Sequence, residues 1–307
     1  MRAYTSTRPR GMAPWRPQAK TLVRLDQVQA VLDEYAEHLP LTCRQVFYRL
    51  VGAYGYPKTE QAYDRLTNML VRARRAGLIP FDALRDDGAT HVDQAGYVNA
   101  AHFLRSVRGA AQSYRRDRQD RQPVVLELWC EAAGMAPQLA RMVEHYGIDV
   151  YSSSGFDSLT VKHDAAQRFV QRDRRTVVLH VGDHDPSGRA LFDSVASDVA
   201  LLALGLDLPE WLVPEFVEVA VTPAQVERYA LPSSPAKATD RRGGWEGGTV
   251  QAEALAPDQL AAEVRQAVET RFDLYQLAKV LDTEEAERAY LVAELDRLAS
   301  GEVSGAP

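Results

Sequence analysis

Residues 176–188 read TVVLHVGDHDPSG, and this stretch decides the fold. From Thr176 to Val181 the run is β-branched and apolar except for His180, without polar alternation, as in a strand buried on both faces. Gly182 ends it, and Asp183-His-Asp185-Pro-Ser-Gly188 leads into a helical pattern. Working outward, short apolar runs at Val124 to Cys130, Ile148 to Tyr151 and Val217 to Val221 alternate with helical stretches near 135–146, 158–172 and 188–203. That alternation predicts an α/β fold, a mostly parallel sheet with helices on both faces. In such sheets the chemistry gathers beyond the C-terminal ends of the strands.

Two of these ends carry acid. Glu131 directly follows VVLELWC, while Asp183 and Asp185 follow TVVLHV. Alternate residues of an extended segment point to one side, so both aspartates address the same site. Two like charges about 4 Å apart repel by about 4 kcal/mol at an effective dielectric of about 20, so gathered acids require a cation or raised pKa values. Mg2+ is the expected cofactor, because it takes oxygen ligands from one or two carboxylates and completes its shell with water and substrate phosphates. Gly182 and Gly188 bracket the pair, as close backbone approach requires. His184 reads as incidental, since magnesium does not seek imidazole. An acidic pair in a Gly/Pro turn is also ordinary loop chemistry, and that reading stands beside the first.

The other half of the chain is built differently. Leu22 to Leu39 shows helical periodicity ending at Pro40. Thr42-Cys-Arg-Gln45 is a capping box, so a helix should start at Cys43 and stop in the Gly55-Tyr-Pro57 turn. Thr59 should cap a second helix reaching Arg75, with Gly77 as its stop. Two helices joined by a short turn suggest a helix-turn-helix. On the second, Ala62, Leu66, Met69, Leu70 and Ala73 share one face, opposite Arg65, Asn68, Arg72 and Arg75. The second face suits DNA, where arginine contacts phosphate or guanine edges, though a plain solvated face has the same composition. On the first helix Val46, Leu50, Cys43, Phe47 and Val51 form the apolar arc, with Arg44 and Tyr48 stacked four residues apart just outside it. A tyrosine there can equally be a packing residue.

Charge divides along the same line. Residues 1 to 121 hold 20 Lys+Arg and 12 Asp+Glu, a net +8; the rest hold 16 and 30, a net -14. A polyanion-binding module beside an acidic one is the expectation. Residues 1–20 read as a flexible basic arm, 21–113 as the helical DNA-binding domain, 114–122 as a charged linker, and 123–300 as the sheet domain ending in two helices from Pro257 to Leu298. No apolar run reaches membrane-spanning length, the arm lacks a secretory core, and Cys43 and Cys130 lie far apart. Two reduced thiols in a cytoplasmic protein are expected.

A Glu ending one strand and D-x-D-x-x-G ending a later one (Glu131, Asp183 to Gly188) resembles the Toprim domain of topoisomerases, bacterial primases and certain nucleases. With DxDPxG preceded by the CRQVFYRL helix, the chain is similar more narrowly to the topoisomerase VI A subunit and the meiotic double-strand-break transesterase, over roughly residues 40 to 290. The resemblance implies a winged-helix domain followed by a Toprim-like Rossmannoid domain. It makes Tyr48 the nucleophile on double-stranded DNA, with Arg44 and Glu131 completing the catalytic group, and it assigns Mg2+ to Glu131, Asp183 and Asp185. It further implies a homodimer in which the tyrosine of one subunit meets the acids of the other. With no Walker sequence in this chain, ATP-driven activity would need a separate GHKL-type ATPase, the B-type subunit. The chain departs from the pattern in three places: Phe47-Tyr48 where a tyrosine pair is common, Glu131-Ala132 where a lysine follows the glutamate, and Ser154-Gly155-Phe156-Asp157 in place of a lysine-bearing Gly-Tyr-Pro-Asp. Two other readings remain open, a Toprim nuclease using metal-activated water and a non-catalytic DNA-binding protein.

Overall fold

The structure, a computed structural model, describes residues 10–36, 39–85, 96–152, 158–235 and 248–299. The N-terminal unit holds α1 (Ala19–Glu34), β1 (Leu41–Thr42), α2 (Cys43–Tyr54), α3 (Glu60–Arg75), β2 (Leu84–Arg85) and α4 (Ala100–Gln112). α1 begins and ends earlier than its periodicity suggested. The capping box forms as expected: Thr42 Oγ1 accepts from the Gln45 amide and Gln45 Oε1 from the Thr42 amide. Gly55 ends α2 with φ +61°, a left-handed conformation that costs glycine little. Val28, Leu32, Val46, Leu50, Leu66 and Leu70 are central to one core shared by α1, α2 and α3.

β1 and β2 pair in parallel over two residues. Among the described residues this unit has no antiparallel hairpin that would serve as a wing, and residues 86–95 lie outside them. α4 packs not on this core but along the C-terminal helix, where Arg108 makes a bidentate ion pair with Asp296.

The second unit follows the expected alternation. β3 (Val125–Cys130), α5 (Ala136–Val143), β4 (Asp149–Ser152), α6 (Leu159–Val170), β5 (Thr176–Val181), α7 (Pro186–Gly205) and β6 (Glu215–Ala220) form a four-stranded parallel sheet of order β4-β3-β5-β6. α8 (Pro223–Arg228), the short pair β7 (Ser234–Pro235) and β8 (Gly248–Thr249), α9 (Pro257–Glu269) and α10 (Leu274–Ala299) complete it. Leu126, Leu128 and Cys130 of β3 face the side covered by α5, α9 and α10, whereas Trp129 faces α6 and α7. Both central strands are buried throughout, which is why they read as unbroken apolar runs. The connections leave β3 toward β4 and β5 toward β6, so the topological switch point lies between β3 and β5.

The arm expected to be flexible and the segment expected to be a charged linker are both docked in their described residues. In the basic arm, the Gly11 amide donates to Asp198 on α7, the Ala13 amide donates to the Arg75 carbonyl, and Met12 lies against Gly205. Residues 1–9 lie outside the described residues. In the linker, Arg116 pairs with Glu287 and Arg118 with Glu284, both on α10, while the buried Gln119 side chain bonds the Leu126 amide and carbonyl. Arg288 also reaches Glu284, and these arginines, Arg118 first, hold that carboxyl down at about 2. Both segments are charged, and each finds its opposite charge or backbone partners on the second unit.

No helix is long and apolar enough to cross a membrane among the described residues. The Cys43 and Cys130 thiols are buried, and burial pushes that of Cys130 up to about 11.

Candidate acidic centre and tyrosine hollow

Register builds the acidic centre. Cys130 lies opposite Val181, so the next residues, Glu131 and Gly182, leave adjacent strands side by side at the switch point. The Glu131 amide donates to the Val181 carbonyl at 2.9 Å, and Glu131 Oε2 accepts from the Asp183 amide at 3.1 Å. Asp185 is the N-cap of α7, its Oδ1 accepting from the Gly188 amide at 2.6 Å. A Cβ on Gly188 would stand 2.9 Å from Glu131 Oε2 and 3.4 Å from Asp185 Oδ1; one on Gly182 would strike the His180 ring and come 3.2 Å from the same Glu131 oxygen. Both glycines therefore make the room in which the carboxylates meet.

Electrostatics agree with that crowding. Burial raises the Glu131 carboxyl above the usual range, and the charges of Asp183, Asp185 and Glu253 raise it further against the opposing Asp183 amide bond. Asp183 is raised by burial, with smaller contributions from Glu253 and Asp185, although its Oδ1 accepts from the Ala252 amide at 2.9 Å. Glu253 is the acid that sequence reasoning missed. It arrives after β8 because His184 and Val250 form an antiparallel bridge, which brings residues 252–254 over the strand ends. No local spacing could have signalled it.

Each of the three expected ligands turns one oxygen to a backbone N–H. Accordingly, among the described residues no three His, Cys, Asp or Glu side chains stand in ligand geometry around one point. The acids are gathered, and their repulsion is offset by amides. His180 behind them is stacked on Phe192 at 3.9 Å, and burial pushes it down to about 4, so it is neutral at pH 7. Ser154 to Asp157 lie outside the described residues.

Tyr48 occupies a second place altogether. It is 47% exposed, on the edge of α2 beside the buried Phe47, and is not a core residue. A hollow of about 420 Å³ next to it is lined by Arg44, Tyr48, Lys58, Glu60, Tyr63 and Asp64 among others, and contains none of the three acids of the other centre. The cation standing over the Tyr48 ring is Lys58, with Nζ 5.7 Å from the centroid, whereas the Arg44 guanidinium lies over Tyr63 at 5.0 Å. Lys58, in the turn between α2 and α3, was not among the sequence candidates.

On α3, Arg65, Asn68 and Arg72 are exposed, as expected for a binding face. Arg75 is not. Its guanidinium is buried in a bidentate pair with Asp198, at 2.7 and 2.6 Å, and also donates to the Gly11 carbonyl, while Lys162 Nζ lies 3.3 Å from Asp198. The DNA-contact role expected of Arg75 is thereby corrected: it ties α3 to α7. The helical wheel placed it correctly relative to α3, but the second unit covers that end of the face.

The chain matches no protein-family model, and no curated protein matches it.

Proposed function

We propose that this chain is a Mg2+-dependent DNA-cleaving protein that works by transesterification through Tyr48, as a homodimer on double-stranded DNA. The observation that carries the reading is the meeting of Glu131 with Asp183 and Asp185 at the switch point, in a pocket of glycines, with carboxyls raised by burial and mutual repulsion. An all-oxygen carboxylate set is of the kind magnesium takes, and Glu131, Asp183 and Asp185 would hold it. When bound, the ion would supply charge stabilisation at the scissile phosphate. A winged-helix arrangement of the first unit and a Toprim arrangement of the second belong to this proposal, as does a separate GHKL-type ATPase partner.

In the proposed reaction the phenolic oxygen of Tyr48 bonds to phosphorus as the bond to one deoxyribose oxygen breaks. The departing oxygen takes a proton and leaves as a hydroxyl end, and no water or oxidant is consumed. Arg44 neutralises a non-bridging oxygen. Arg65, Asn68 and Arg72 of α3 contact the duplex. Because the Tyr48 hollow of one chain contains none of the three acids, the second subunit brings its acids to it.

That same separation favours a second reading, in which metal-activated water attacks and Tyr48 takes no part in the chemistry. Incubating the dimer with end-labelled linear duplex and Mg2+, then denaturing it, distinguishes the two. Under the first reading wild type carries covalently attached DNA, Tyr48→Phe carries none, and Asp183→Asn neither attaches nor cuts. Cutting that persists in Tyr48→Phe supports water. Full cutting by Asp183→Asn removes the acidic centre from both.

A further inference from the structure

Phe47 is a hub. Its buried ring meets Tyr48, Tyr56 and Tyr63 edge-on at centroid distances of 5.5, 6.0 and 5.3 Å. Each of these tyrosines carries a cation on its ring: Lys58 on Tyr48 at 5.7 Å, Arg24 on Tyr56 at 4.2 Å and Arg44 on Tyr63 at 5.0 Å. Beside them Arg49, the residue after Tyr48, lies over Tyr35 at 5.6 Å and donates to its hydroxyl at 3.1 Å. Four cations and four tyrosines, drawn from α1 and its C-cap, α2, the α2–α3 turn and the start of α3, thus make up one platform.

What the cations rest on matters. An arginine paired with a carboxylate is neutralised, whereas one lying on a ring keeps its whole charge and its outward N–H edge. Among the described residues Arg24, Arg49 and Lys58 have no carboxylate within ion-pair distance. Glu60 and Asp64 line the hollow beside Lys58 and Arg44, while Arg24 and Arg49 lie outside it. Cations held on aromatic faces with no carboxylate within ion-pair distance suit a phosphodiester backbone, whose charges repeat along the platform.

We propose that this platform, and not the α3 face alone, is the principal phosphate-contact surface for duplex DNA. The α3 residues Arg65, Asn68 and Arg72 are left to contacts in a groove. The assignment concerns binding only, so it can fail or hold separately from covalent chemistry at Tyr48.

The test is equilibrium binding of a fluorescent duplex of about 30 base pairs to the full chain, without metal, across a salt series. The Arg24→Gln/Arg49→Gln/Lys58→Gln variant should bind at least about tenfold more weakly, with a slope of log affinity against log salt smaller by about three, close to one for each phosphate no longer neutralised. Arg65→Gln/Arg72→Gln should lose less affinity than the platform variant. A platform loss under tenfold, an unchanged slope, a larger loss from the α3 variant, or no binding by wild type each overturns the proposal. If the triple variant melts below wild type, the three single variants decide, each expected to lower the slope by about one.

Discussion

In the sheet unit arginines pair with carboxylates even where, as with Arg168 and Arg172, they also lie over a ring, whereas Arg24, Arg44 and Arg49 of the helical unit lie against tyrosine rings. Arg168 and Arg172 converge on Glu127, which is fully buried in β3 and also accepts from Trp129 Nε1; Arg118 and Arg288 converge on Glu284; Arg228 meets Glu263. In the helical unit Arg24, Arg44 and Arg49 lie over Tyr56, Tyr63 and Tyr35. Arg75 joins the two units, since its carboxylate, Asp198, comes from the other one. The contrast teaches that charge is internal structure in one region and outward-facing potential in the other. Substitutions should therefore be costly to the fold in the first and nearly silent in the second.

The largest effect belongs to Glu284. Glu284→Gln removes the carboxylate between Arg118 and Arg288 and should lower unfolding free energy by about 3 to 5 kcal/mol in a urea titration at pH 7. Because its folded pKa is depressed to about 2, the stabilisation is present above the ordinary carboxylate range and fades as pH falls from about 4.5 toward 2. A loss under about 1 kcal/mol would place the pair among weak surface contacts and dissolve the contrast.

The acidic centre should respond with the opposite sign. Glu131 and Asp183 are raised in the folded state, so at pH 7 their charges oppose folding, and stability recovers as pH falls through the raised folded values. Glu131→Gln should accordingly stabilise the metal-free chain by about 1 kcal/mol at pH 7, less at pH 5, while abolishing any rise in melting temperature on adding Mg2+. A destabilised variant would make Glu131 a structural group held by the Asp183 amide.

Smallest of all, Arg49→Gln should change unfolding free energy by no more than about 0.5 kcal/mol, because it faces water and gives up only its place on one ring and one hydroxyl bond. A cost above about 1 kcal/mol would show that the ring-borne cations hold the helices together, and the two regions would then not differ in kind.

Much of the local architecture could be read in advance. Thr42 with Gln45, Gly55, Thr59 and the Thr176 to Val181 run act within a few residues of themselves, so caps, turns and strands form where their chemistry predicts. Asp183 and Asp185 were visible because a strand end sets their direction. Arg75 was misread for a related reason: a wheel tells which residues of a helix share a side, not what meets that side. The basic arm looked flexible, and segment 114–122 looked like a mere linker, because composition says nothing of a partner far along the chain.

The sequence by itself determined the α/β alternation, the capped helix pair and the acids at two strand ends, because short-range periodicity and capping are local interactions. Only the tertiary structure decided that β3 and β5 are neighbours, which brings Glu131 to Asp183, and that Glu253 joins them. It also decided which arginines keep their charge, since neutralisation depends on a carboxylate or ring delivered from another element, and that is a property of packing.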